Sequence, residues 1–437
     1  MHRILIVGGG AGGLELATRL GDRFGKRGSA QVELLDRSRT HLWKPQLHEI
    51  ASGSMDPGTH ELDYAAQARS HHFRYRLGEM IGLDRHKRLL QVGPILDEEG
   101  NTLTPRRTLY YDTLIIAVGS LTNDFGVPGV KQHAIALESP VEAARFQRLL
   151  IGALVRAQTR LEPLRPEQLH IAIVGAGATG VELAAELRNT TRDLVAYGLD
   201  SVDADRDIKL ELLEATDRIL PPLPPRVSEM ALERLHKLGV EVRTSAHVAE
   251  ILPSGVKLAD GTVVPAELTV WAAGVKAPEI LTRLDGLETN RLNQLSVRQT
   301  LQTTLDDDIF SLGDCAACPW PQGPGGKANV PPRAQAAHQQ ASHMVRQIQR
   351  LLASRPLEPF RYRDFGSLVS LGRHQSVGNL AGLFSARSLF VEGLIARLMY
   401  LSIRKMHQLA LHSYVRVALD TLTEMLAGRS APRVKLH

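Results

Sequence analysis

Apolar and polar positions follow the same order in two parts of this chain. Arg3–Val7 and His170–Val174 are short runs rich in Ile, Leu and Val that end on Gly8 and Gly175, as a buried parallel strand does where it enters a tight turn. A helical period follows over Leu14–Phe24 and again over Val181–Leu187. Each is succeeded by a second apolar run that ends on an acid, Gln31–Asp36 in the first part and Lys209–Glu214 in the second. Strand, glycine turn, helix, strand and acid predict a βαβ unit present twice, at an offset of 167 residues.

Further apolar runs, Thr113–Gly119 and Leu268–Gly274, close the two halves, and Asp260-Gly261 predicts a tight hairpin between Val256–Leu258 and Val263-Val264. Another strand, Asp307–Asp314, returns after the second βαβ unit. This order predicts an α/β fold of two Rossmann-like dinucleotide-binding domains, the second inserted in the first. The expected bounds are 1–124 with 304–366 for the first, 125–303 for the second, and a C-terminal helical region over 367–437. Pro319–Pro332 reads as a long Pro- and Gly-rich rim or lid. Beyond about Leu383 helices are expected, with Val391, Leu394, Ile395 and Leu398 on one face and Arg397 and Arg404 on another.

The glycines carry the first chemistry. Gly8, Gly10, Gly12 and Gly13, and then Gly175, Gly177 and Gly180, form G-x-G-x-x-G turns between strand and helix. The first glycine of such a turn permits the bend, the second lets backbone N–H groups approach a pyrophosphate, and the third lets helix and strand close up. The helix N-terminus adds about half a positive charge. Asp36 and Glu214 stand where ribose hydroxyls are held, and an anion there disfavours a 2′-phosphate, so the second site is expected to prefer NADH. The alternative is a pair of glycine turns that bind no nucleotide.

Composition narrows the class further. Of 437 residues, 43% are hydrophobic and 23% charged, with no low-complexity tract. The net charge of +5 lies wholly after Ala386: residues 387–437 hold eight Arg and Lys against three Asp and Glu, so the rest is neutral. A neutral body with a basic, apolar tail points to an anionic membrane surface rather than to nucleic acid. No uncharged apolar run approaches the ~18–20 residues that span a bilayer, and no signal peptide is read at the N-terminus. Membrane contact is therefore expected to be peripheral. Cys315 and Cys318, the two cysteines, are expected to start a helix after Asp314 where small residues are needed, with a redox or metal role as the alternative. The histidines, including His71, His72, His407, His412 and His437, show no metal-site spacing, and no metal is expected.

His41–Glu49, Gly177–Glu182, Trp271–Pro278, Gly313–Ala316, Ala334–Gln339 and Lys405–His412 together resemble the bacterial type II (non-proton-pumping) NADH:quinone oxidoreductases, and the resemblance runs from the first residue to the tail. It implies non-covalent FAD on the first loop and NADH on the second, with Asp314 after Gly313 reaching the ribityl chain. Ala117, Gly119 and Gly274 belong to the paired strand motifs of the same superfamily. Glu182 is implied near the nicotinamide. Ala334 and Gln335 are implied beside the isoalloxazine at a quinone site, and Lys44 and Pro45 close to the flavin. The implied setting is peripheral, on the cytoplasmic face of a bacterial inner membrane, with membrane quinone (ubiquinone or menaquinone) as acceptor and a homodimer left open.

The residues themselves leave alternatives. Glu182 is equally a helix N-terminal acid favoured by the dipole. Gln335 and Gln339 share a helix face that donates to quinone carbonyls or faces solvent. His338 is a proton donor or a packed surface histidine. Residues 37–60 hold no cysteine, which argues against a disulfide relay and leaves direct transfer from the flavin. A soluble NADH-dependent reductase of a protein electron carrier is one rival, and a non-catalytic NADH-sensing scaffold is another.

Overall fold

A computed structural model of the chain describes residues 1–160, 162–323, 328–372, 375–380, 389–412, 414–427 and 434. The chain groups into two compact units. Unit 1 is Met1–Trp43, Glu61–Leu121 and Val275–Arg363; unit 2 is Lys44–His60, Thr122–Gly274 and Asp364–His437.

The main strands are β1 (His2–Val7), β2 (Ala30–Asp36), β3 (Arg74–Leu77), β4 (Thr113–Ile116), β5 (Ala134–Ala136), β6 (His170–Val174), β7 (Lys209–Leu213), β8 (Val240–Arg243), β9 (Leu268–Trp271) and β10 (Ile309–Ser311). Unit 1 holds a parallel sheet in the order β10-β4-β1-β2-β3, and unit 2 one in the order β5-β9-β6-β7-β8. In both, the strand leading into the glycine turn is central. Its residues are apolar on both faces because helices or loops cover both: Ile4 through Val7 and Ile171 through Val174 are all buried.

Helices α1 (Ala11–Leu20), α2 (Leu47–Ser52), α3 (Pro140–Gln158), α4 (Ala178–Ala196), α5 (Pro225–Leu238) and α6 (Ala334–Leu352) complete the two units. In unit 1, α1 packs on α6; in unit 2, α2 packs on α3 and α4. Segment 275–303 lies in the unit 1 core: Leu281, Leu284 and Leu295 join Leu5, Val7, Leu114 and Ile309, and the Asp285 carboxylate accepts the Arg85 backbone N–H at 2.7 Å. The hairpin at Asp260-Gly261 forms as the turn chemistry requires, with Lys257 opposite Val263 and Gly261 at φ +89°.

Two local expectations are corrected. Cys315 does not start a helix: Gly313–Cys315 is one 3₁₀ turn, and Ala316–Ala317 pairs in parallel with Leu295–Ser296. In the tail, residues 389–392 do not continue a helix expected from about Leu383. Residues 381–388 lie outside the described residues, and Leu389–Glu392 is a strand, the third of an antiparallel sheet with Ser367–Ser370 and Ser376–Leu380. Val391 therefore pairs with Gly378 instead of sharing a helix face with Leu398. The run Leu389-Phe390-Val391 suits a pleated strand, and the helix begins only at Gly393. Helices α7 (Gly393–Leu411) and α8 (Tyr414–Ala427) then follow.

Candidate active site

The two glycine turns are the same structure built twice. Gly8 and Gly175 stand at φ +100° and +102°, open to glycine and strained for other residues. A Cβ on either would strike the neighbouring strand end, Ala117 O at 2.4 Å or Ala273 Cα at 2.7 Å. A Cβ on Gly13 or Gly180 would lie 1.9 Å from the carbonyl oxygen of Gly8 or Gly175, so the third glycine in each copy sets the helix-to-turn contact. Around Gly10 and Gly177, by contrast, the space a Cβ would fill is open within 4 Å. A cradle at a helix N-terminus with clear approach at its second glycine fits a pyrophosphate.

The two acids fasten their own loops. Asp36 Oδ2 accepts the Gly9 N–H at 2.6 Å and Oδ1 the Ser38 N–H at 2.7 Å. Glu214 repeats this: Oε2 accepts Ala176 N–H at 2.7 Å and Oε1 Thr216 N–H at 2.9 Å. Each carboxylate thus pins the second residue of its own loop. The carbonyls of those residues are fastened differently. Gly9 O accepts from Tyr64 OH at 2.7 Å and from His41 Nδ1 at 2.9 Å, whereas Ala176 O accepts the Leu220 backbone N–H at 2.8 Å. Burial drives the His41 imidazole down to about 4, so it is neutral and its Nδ1 carries the donated proton.

The other motif residues fall into the two units. In unit 1, Gly119 and Gly313 have φ of +70° and +74°, and Ser120 Oγ donates to Asp314 Oδ2 at 2.8 Å. Gln294 donates to Asp314 O at 2.8 Å, and Gln340, buried on α6, accepts the Gly313 N–H at 2.7 Å. Ala334 and Gln335 open α6. Gln339 commits both ends of its amide to the Arg363 backbone, at 2.8 and 3.0 Å. His338 sets Nδ1 2.5 Å from Glu15 Oε2. In unit 2, Gly274 at φ +64° packs against Phe125, while Lys44 and Pro45 are exposed on the 3₁₀ turn Lys44–Gln46.

Glu182 stands one turn into α4, beyond the helix's first turn, and is almost fully buried in unit 2. Its Oε1 accepts the Ser370 N–H at 3.0 Å, and Oε2 lies 3.6 Å from His48 Nδ1. Burial pushes its carboxyl above the usual carboxylate range, against the pull of His48, the Ser370 N–H and a hydrogen bond from Tyr400. Glu15, Gln340 and His48 were not singled out from the sequence. A polar residue at a core-facing helix position was the available signal for Gln340, and the 167-residue offset from Glu15 to Glu182 was the signal for Glu15. Among the described residues no group of three or more His, Cys, Asp or Glu could hold a metal ion.

Residues 2–341 match the family model described as pyridine nucleotide-disulphide oxidoreductase. The chain is 42% identical to the type II NADH:quinone oxidoreductase of Haemophilus influenzae, with all of both chains aligned. It belongs to the type II NADH:quinone oxidoreductase family. The solved structure of NDH2 from Plasmodium falciparum in complex with NADH shares its fold, with a TM-score of 0.80 at 20% identity over 99% of this chain and all of that one. So does the sulfide:quinone oxidoreductase of Aquifex aeolicus, with a TM-score of 0.71 at 15% identity over 94% and 91%. The cysteines of this family member are placed unlike a redox pair. Cys315 and Cys318 are buried in the core, and burial pushes both thiols up, Cys318 to about 12. A thiolate is the reactive form, so neither is poised for exchange.

Proposed function

We propose that this enzyme passes two electrons from NADH through non-covalently bound FAD to a membrane quinone, without pumping protons. The observation that carries the reading is the duplicated loop: two dinucleotide cradles, each with its own acid, in a chain of this family. FAD is assigned to unit 1, where Gly8–Gly13, Asp36, Gly119, Gly313 and Asp314 meet. NADH is assigned to unit 2, where Glu214 accepts N–H groups through both oxygens and offers only an anion to a 2′-substituent.

A bound flavin would supply the chemistry of taking hydride from NADH and passing the electrons on singly or in pairs. The chain's own residues bind and orient: loop N–H groups hold the pyrophosphates, and Asp36 and Glu214 hold the ribose ends. Glu182, buried beside His48, is proposed to face the nicotinamide. Gln335 at the start of α6 is proposed to meet the quinone.

Membrane contact is assigned to α7 and α8. Leu398, Met406, Val415, Leu419 and Leu422 are each more than half exposed there, a density of bare apolar groups that suits a lipid surface. Among the described residues no helix is long and apolar enough to cross a membrane. The expected setting is the cytoplasmic face of a bacterial inner membrane. Leu419→Glu with Leu422→Glu should reduce sedimentation with anionic vesicles while flavin content stays; unchanged sedimentation would remove the assignment.

The deciding assay is steady-state NADH oxidation with a short-chain ubiquinone or menaquinone analogue, against the same mixture without acceptor. Strong stimulation is expected, and its absence would overturn the reading. Gln335→Leu should impair quinone reduction more than flavin reduction by NADH; equal loss of both counts against its place at the quinone.

A further inference from the structure

Glu15 and Glu182 occupy the same position in the two copies of the βαβ unit. Each stands two residues beyond the third loop glycine, and the offset that relates Gly8 to Gly175 also relates Glu15 to Glu182. Both are buried, with 4% and 7% of their surface exposed. Each carboxylate meets a histidine from another element: His338 Nδ1 lies 2.5 Å from Glu15 Oε2, and His48 Nδ1 lies 3.6 Å from Glu182 Oε2. Burying a carboxylate costs several kcal/mol unless charges and hydrogen bonds offset it. One such residue is a packing detail, but two at one place in a duplicated unit mark what lies beside them.

That place has a meaning. The helix N-terminus meets the pyrophosphate and the acid at the end of the second strand meets the adenosine ribose; with Glu182 proposed to face the nicotinamide, the position two residues beyond the third glycine lies toward the other half of the dinucleotide. In unit 2 that half is the nicotinamide; in unit 1 it is the flavin.

We infer that Glu15 and His338 form a proton-handling pair at the flavin end of unit 1, in which His338 exchanges the proton that accompanies electron transfer to the acceptor and Glu15 is its positioning residue. The inference rests on the proposed assignment of FAD to the first loop and quinone as acceptor. The overall reaction converts NADH, one proton and quinone into NAD⁺ and quinol. His338 supplies that proton from its imidazolium and regains it from solvent, while the other hydrogen arrives with the two electrons.

The surroundings suit the task. Arg19, one turn along α1, sets Nη1 2.7 Å from Glu15 Oε1 and 2.5 Å from Ser342 Oγ, so both carboxylate oxygens are held. Ser342 lies one turn along α6 from His338, and His338 acts electrostatically on the buried His41. With Nδ1 on the carboxylate, proton exchange runs through Nε2. The His338 side chain is 25% exposed, against 5% for Glu15, so the pair joins solvent to the interior. The preceding Ala337 packs at the loop: its O and Cβ lie 3.2 and 3.3 Å from where a Cβ on Gly12 would stand.

The test uses the full-length, flavin-loaded protein. The enzyme is reduced with NADH and mixed rapidly with a short-chain quinone across about pH 5 to 9, for the native chain, Glu15→Gln and His338→Gln. His338→Gln should slow the quinone half-reaction on the order of 10²-fold at neutral pH and remove its decline as pH rises. Glu15→Gln should alter that profile too, because the carboxylate that orients the imidazole is gone. A second readout, needing no turnover, is the nitrogen NMR of ¹⁵N-histidine protein. Neutral His338 should carry its proton on Nδ1 in the native chain and shift toward Nε2 in Glu15→Gln. Flavin-loaded variants that keep the native pH profile, whatever their melting temperatures, overturn the inference, as does an Nε2-protonated His338 in the native chain. A native enzyme that reduces no quinone defeats the proposed function instead, and the NMR result still judges the pair.

Discussion

Alanine at the third glycine of each loop separates the two nucleotide sites. A Cβ on Gly13 or Gly180 would sit 1.9 Å from the carbonyl oxygen of Gly8 or Gly175, whereas a carbon and a carbonyl oxygen settle no closer than about 3.3 Å. Helix and loop must therefore part by about 1.4 Å, and the oxygen is backbone, so no side chain can yield. Overpacking of this kind costs about 1–3 kcal/mol. Alanine also improves helix propensity by about 1 kcal/mol, so the melting temperature can change little even though the loop has moved. Ligand affinity is the cleaner readout, since the displaced N–H groups are those proposed to face the pyrophosphate. At about 1.4 kcal/mol per decade the clash should weaken binding on the order of 10- to 100-fold in the affected site alone. Gly13→Ala should lose flavin on gel filtration. Gly180→Ala should keep its flavin and show a raised KM for NADH in stopped-flow reduction. If Gly180→Ala strips the flavin and Gly13→Ala retains it, the nucleotides have been assigned to the wrong loops.

Three further outcomes follow from the buried titratable groups. His41 is held down to about 4 from 6.5; below 6.5 the unfolded chain takes up a proton that the fold refuses, so stability falls as pH drops toward 4 by up to about 3 kcal/mol and is flat above 6.5. Thermal melts of His41→Gln should lack that part of the acid slope, and an identical slope in both proteins refutes the account. Glu182 is raised above 4.5, so its ionisation in the fold costs stability at high pH and nothing below its ordinary range. Glu182→Gln should accordingly melt higher than the native protein near about pH 8, with the gain fading on acidification; a gain that grows on acidification would reverse the sign. Cys315 and Cys318, both pushed up by burial, should resist iodoacetamide in the native enzyme and react only on unfolding. Labelling of the native state with loss of turnover would put a thiol into the chemistry.

What the sequence could and could not show divides along the range of the interactions. The strand-turn-helix copies were legible because every determinant is local: β-branched runs, glycines at fixed spacing, an acid at the strand end. Their offset alone leads from Glu182 to Glu15. The tail departs from expectation at Val391 because an apolar run of three residues does not distinguish strand from helix, and only pairing with Gly378 decides it. Cys315 went wrong for a similar reason, since the strand that follows it pairs with Leu295–Ser296, about twenty residues upstream. The histidine partners of the two glutamates come from segments 323 and 134 residues away, a distance over which no periodicity carries information. Gln339 shares a face with Gln335 on spacing, but its tie to Arg363 depends on a loop whose path the helix pattern does not encode.

The duplication also shows where the copies had to differ. Backbone, glycines and acid are shared down to the hydrogen bonds of Asp36 and Glu214, so the phosphate cradle is one solution used twice. The fastening of the second loop residue is not shared. Gly9 O is held by Tyr64 and His41, side chains that come from two other segments and are themselves buried, and a Cβ on Gly9 would lie 2.5 Å from the Tyr64 ring. Ala176 O is held by one backbone N–H, from Leu220, six residues beyond Glu214. Opening the first loop means breaking two buried hydrogen bonds and unpacking an aromatic ring; opening the second breaks one buried backbone hydrogen bond, from Leu220. At about 1 kcal/mol for each hydrogen bond, more when a buried partner is stranded, the first loop is the stiffer by a few kcal/mol. A resident cofactor suits a cradle that rarely opens, and a coenzyme that must leave at every turnover suits one that opens readily. The asymmetry in fastening thus supports FAD in unit 1 and NADH in unit 2 on grounds separate from the order of the two loops along the chain.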